Sequence, residues 1–123
     1  GSNSGHVRIY KFELVNNVYP KVWNQLGSNI DGAAACDESG ISVSLSADGE
    51  TVAIGAIGND DNGTNSGHVR VYKFVSNVWT QLGSDIDGEA AGDKSGMSVS
   101  LSADGETVAI GADYNDGNGS YSG

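Results

Sequence analysis

The sequence predicts an all-β chain built from four-stranded antiparallel units, and three observations carry that reading. Residues 39–56 (SGISVSLSADGETVAIGA) return 56 residues later as residues 95–112 (SGMSVSLSADGETVAIGA), differing only at Ile41/Met97. Residues 5–12 (GHVRIYKF) return as residues 67–74 (GHVRVYKF). Apolar residues alternate with small polar ones, the period-two mark of strands, and no window carries a helical apolar stripe. A repeat of this length marks an architecture whose units bury their apolar faces against neighbours.

One unit accounts for each element in turn. Ile41 to Ser46 alternates and predicts a first strand. Asp48-Gly49 is a hairpin signal, repeated at Asp104-Gly105. Thr51 to Ala56 is the return strand, with Val52 and Ile54 on one face and Ala53 and Gly55 on the other. A polar loop then leads to a third strand from His68 to Phe74. A turn at Ser76-Asn77 precedes a fourth strand, from Val78 to about Ile86. An Asp- and Gly-rich stretch joins the next unit.

The phase divides the chain into three parts. Residues 1–38 supply the third and fourth strands of one unit plus a linker. Residues 39–94 are a complete unit. Residues 95–123 supply the first two strands of another. The units differ between Phe12 and Gln25, where six extra residues within 13–21 include Pro20, the only proline. The expectation there is a longer hairpin loop.

Four strands per period favours the radially arranged blade of a β-propeller over a sandwich half or a solenoid turn. The small residues Ser42, Ser44, Ala53 and Gly55 suit crowded inner strands, and Trp23 and Trp79 suit a broader fourth strand. The repeated run, an Asn/Asp/Gly loop and then Gly67-His-Val-Arg-Val-Tyr72 resemble the FG-GAP repeat of integrin-α-like β-propellers, in its divergent microbial and marine form. The resemblance implies adhesion or ligand binding more often than catalysis; low Lys, high Asp and Asn and 19 Gly suit a secreted or salt-tolerant protein, and the expected location is extracellular or cell-surface. Ser39-Gly40 stands where the name motif has Phe-Gly. Ile57 and Asp113 replace the usual proline after Gly-Ala. The family's calcium loop is missing: the hairpin is only Ser46-Ala47-Asp48-Gly49-Glu50, too few oxygens for a Ca²⁺ site.

Net charge is −10 at pH 7, and the six basic residues are scattered. That excludes nucleic acid, which needs clustered Lys and Arg, and disfavours anionic membranes. No apolar run is long enough to span a bilayer. Cys36 cannot form an intrachain disulfide, since it is the only cysteine, and the second unit has Gly92 in its place.

No catalytic set is implied. There is no Gly-x-Ser-x-Gly elbow before a helix and no Ser/His/Asp arrangement, and no cofactor is called for. The one metal candidate is Asp85, Asp87, Glu89 and Asp93, whose spacing suits a turning loop around Ca²⁺. The first unit carries Asn29, Asp31, Ala33 and Asp37 instead, one ligand short. His68, Arg70 and Tyr72 share a strand face, and an Arg between packed sheets calls for a neighbouring Asp. Asn62 and Asn118 head glycosylation patterns in one loop type.

The expected role is a non-enzymatic structural or binding module that completes its ring with copies of itself. A homotrimer of six blades is favoured and a homotetramer of eight is the alternative. The rival reading is a lectin-like propeller that binds a protein or glycan, or calcium, through its loops.

Overall fold

A computed structural model describes residues 5–32, 38–58, 67–88 and 94–112, and among these there is no helix. Eleven strands follow in order: β1 (His6–Val7), β2 (Tyr10–Val15), β3 (Val18–Gln25), β4 (Ile30–Asp31), β5 (Ser39–Leu45), β6 (Thr51–Ala56), β7 (His68–Val75), β8 (Val78–Gln81), β9 (Ile86–Asp87), β10 (Ser98–Leu101) and β11 (Val108–Gly111).

The predicted complete unit is a single antiparallel meander, β5-β6-β7-β8, with β9 returning to pair with the start of β7. The Asp-Gly hairpins form as read. Leu45 faces Val52 across the first and Leu101 faces Val108 across the second. In both turns the Asp carboxylate accepts from a Ser hydroxyl, Ser46 at 2.7 Å and Ser102 at 2.6 Å. It also accepts from the amide two residues on, Glu50 at 2.9 Å and Glu106 at 3.0 Å, the Asx-turn chemistry that favours Asp here. These bonds hold both carboxyls below their ordinary pKa, the Glu50 amide mattering most for Asp48 and the Ser102 hydroxyl most for Asp104.

The fourth strand is shorter than expected. β8 ends at Gln81, and the chain bends at Gly83, whose φ of +69° suits glycine. Ile86 therefore lies in the separate strand β9, opposite Val69.

The six-residue insertion does not lengthen the loop, as expected, but the strands. Both units turn on two residues with positive φ, Asn16-Asn17 and Ser76-Asn77, the two-residue geometry matched to strand twist. Both then pair Tyr with Gln and Phe with Trp, Tyr10↔Gln25 and Phe12↔Trp23 against Tyr72↔Gln81 and Phe74↔Trp79. In the first unit three residues, rather than one, separate Phe from the turn, and five rather than one separate the turn from Trp. The surplus on the return side makes a bulge between Glu13 and Val15. Pro20 falls there, where it removes no ladder bond.

The core lies between units. Val7, Ile9 and Ile30 of the first unit pack against Val52 and Ile54 of the second, with Leu26, Tyr72 and Trp79 closing over them. Every residue of β6 is buried, as expected for a strand covered on both faces. One face meets the first unit. The other meets β10, where the Ser42 hydroxyl donates to the Gly96 carbonyl at 2.6 Å and the Leu101 amide donates to the Ser44 hydroxyl at 3.0 Å. The small residues of β5 and β6 thus mark the contact from one unit to the next.

Candidate functional site

Two arrangements combine chemistry-bearing side chains. The first is a charged knot where β7, β8 and β9 meet. Period two places His68 and Arg70 on one face of β7, and the bend at Gly83 brings Asp85 back over them. Arg70 grips Asp85 through two bonds, Nε to Oδ1 at 2.8 Å and Nη2 to Oδ2 at 3.1 Å, the bidentate geometry that makes such pairs strong. Gln81 Nε2 donates to the same Oδ1 at 2.7 Å. His68 is buried, with Nδ1 3.7 Å from Asp85 Oδ2. The expected partnership of an Arg with a nearby Asp is therefore present.

The guanidinium bonds hold the Asp85 carboxyl far below the usual carboxylate range, and Asp85 in turn raises Arg70. A carboxylate with a depressed folded-state pKa stabilises the fold above its unfolded pKa of about 3.9. That stability disappears as pH falls through the folded value. Asp85→Asn should cost roughly 1 kcal/mol at neutral pH, since the pair is partly exposed to screening solvent. It should also flatten the loss of stability below about pH 4, leaving the parts due to Asp48 and Asp104. Urea melts at neutral and acid pH check this; an unchanged acid profile would show that the pair contributes nothing. The first unit already carries the neutral version, Asn29 accepting from Gln25 Nε2 at 2.8 Å.

Of the four metal candidates, Asp85 and Asp87 come together, and Glu89 and Asp93 lie outside the described residues. His68 joins the pair, so that one ligand atom from each of His68, Asp85 and Asp87 lies within 4.8 Å of the others. The sequence reading missed His68 as a member; its position opposite Asp87 in the ladder is the signal. Asp85 already accepts three bonds from Arg70 and Gln81, and a cation there would stand beside a guanidinium. The geometry suits an ion-pair lock. The Asn62 and Asn118 patterns, and Cys36, also lie outside the described residues.

The second arrangement is the joint between units. Trp79 Nε1 donates to the Leu26 carbonyl at 2.8 Å. The Trp79 ring packs on Phe74 with centroids 4.8 Å apart. Gly27 lies beneath them, a Cβ there being 3.0 Å from both rings. Beside this joint is an open cleft of about 380 Å³, lined among others by Ile9, Leu26, Leu45, Gly49, Glu50 and Phe74. A second cleft of about 380 Å³ is its repeat image, with Val71, Leu82, Leu101, Gly105 and Glu106 in the matching places. The Phe has no counterpart in that second cleft.

Fold and joint together define an all-β protein in which one four-stranded, blade-like unit packs against partial units on its two faces. Residues 30–72 match the family model described as FG-GAP repeat. Comparisons with curated proteins and with solved structures gave no match. No helix among the described residues is long and apolar enough to cross a membrane.

Proposed function

We propose that the chain is a non-enzymatic, extracellular β-propeller module whose role is structural or adhesive, and that copies join head to tail into a closed ring. The observation that carries this is a pair of complementary edges. Among the described residues β11 pairs only with β10, and β2 pairs only with β3. In the complete unit the equivalent strands, β6 and β7, pair with each other over six residues.

The repeated motif, differing only at Ile9/Val71, supports this reading. β7 runs unbroken from His68 to Val75, whereas its counterpart lapses at Arg8-Ile9 between β1 and β2. Arg70 and Val71 owe their ladder to Ile54 and Ala53; Arg8 and Ile9 would receive theirs from Ile110 and Ala109 of another copy. Ile41, Val43 and Leu45 also lie exposed on the face of β5 turned away from β10. Open edges and apolar faces of this kind invite pairing.

The described residues supply one whole blade and half of each of two others, so three copies joined in this way would make six blades, within the usual four to eight. A shared blade couples folding to association. The melting temperature should therefore rise by several degrees for each tenfold increase in chain concentration. A midpoint independent of concentration would oppose the assembly reading.

A further inference from the structure

We infer that Phe12 and Trp23 of one copy seat on Leu82 and Gly83 of the next, with Trp23 Nε1 donating to the Leu82 carbonyl. The inference rests on the ring reading and names the contact that locks it. The joint inside the chain is the template. There Phe74 and Trp79 cover Leu26 and Gly27, and Trp79 donates to the Leu26 carbonyl. The repeat carries the same residues one unit along, with both halves uncovered.

On the donor side, Phe12 and Trp23 keep the same stacked geometry, centroids 5.1 Å apart. Yet Trp23 is 68% exposed while Trp79 is half-buried. On the acceptor side, nothing lies within 4 Å of where a Cβ on Gly83 would stand. Leu82 is 43% exposed, and Ile86 is 40% exposed where its counterpart Ile30 is 6%. The core equivalent to that between the units has Val69, Val71 and Ile110 in place and lacks a Tyr and a Trp. Tyr10 and Trp23 are the residues of those types left exposed at the matching positions.

The occupant is a second copy because its register is already set. Pairing β11 with β1–β2 as β6 pairs with β7 puts Val108 opposite Tyr10 and Gly111 opposite Val7. That register carries Phe12 and Trp23 over the preceding unit. The contact is heterologous, so donor and acceptor faces differ and closure requires a ring. Buried Trp anchors of this kind dominate interface energies.

The test compares four full-length chains by sedimentation across micromolar concentrations. These are the unmodified chain, Trp23→Ala, Leu82→Glu, and Tyr19→Ala at the exposed hairpin tip. Trp23→Ala and Leu82→Glu should each weaken assembly at least about 30-fold, while Tyr19→Ala assembles as the unmodified chain does. A fifth chain, Trp79→Phe, leaves Trp23 as the only tryptophan and replaces no residue of the proposed contact. Its emission should be that of a buried indole when assembled and should shift to longer wavelength on dilution. If the unmodified chain assembles but Trp23→Ala and Leu82→Glu do so equally well, or Trp23 emits as a solvated indole in the assembly, the contact is wrong and the ring stands. If the unmodified chain never assembles, both fall.

Discussion

Gly55→Ala is expected to destabilise the chain by about 3 kcal/mol or more, at the upper end of overpacking costs. A Cβ at Gly55 would overlap the Gly96 carbonyl oxygen and crowd the Ser42 hydroxyl. The carbonyl belongs to backbone and cannot rotate aside. The Ser42–Gly96 bond between units would be lost as well. Gly55 lies in a regular strand, so alanine brings no backbone strain and the effect isolates the close approach of two units. Gly111 is the control at the same repeat position. A Cβ there overlaps only the Ser98 hydroxyl, which can rotate aside, and otherwise meets Ser98 at ordinary contact, so Gly111→Ala should cost the single chain under about 1 kcal/mol. In a closed ring Gly111 would abut the next copy as Gly55 abuts Gly96, and the same alanine should then weaken assembly. Urea melts of both variants decide it. Equal, small losses would show that the units are not in close contact at Gly55.

The sequence made much of this legible because it is written twice. The period, the Asp-Gly hairpins and the alternation of small and large residues define β5 to β7 closely, and the start of β8. That Arg70 takes an Asp partner followed from the need of a guanidinium between packed sheets for an anion; that this partner is Asp85, read from the sequence as a metal ligand, did not. The insertion was misread because Asn16-Asn17 is itself a two-residue turn, and with that turn in place Val15 and Val18 have to pair rather than loop out. That signal was present in the sequence.

Other features were not legible, since they depend on neighbours. Residues 5–8 and 67–70 both read GHVR. Nevertheless His6 is exposed and His68 buried, and Arg8 is exposed where Arg70 is half-buried. Local propensity is identical; the difference is whether a strand such as β6 lies alongside. The ladder that breaks at Arg8-Ile9 has the same origin. In a repeat protein burial is a property of the stack, and a unit at its edge exposes what an inner unit hides.

The most direct measurement is the solution mass of the full-length chain by light scattering at micromolar concentration. Six blades from three copies predict three times the 12.6 kDa chain mass, with a single species and a cooperative melt. The edges explain why the effect should be large: among the described residues the outer sides of β11 and β2 have no strand alongside, and Trp23, Leu82 and Ile86 leave apolar surface to be covered. Four times the chain mass would keep the shared-blade ring and change only its closure angle, since eight blades also close. A mass near 12.6 kDa together with a cooperative melt would contradict the account, because the chain would then be stable with both edges open.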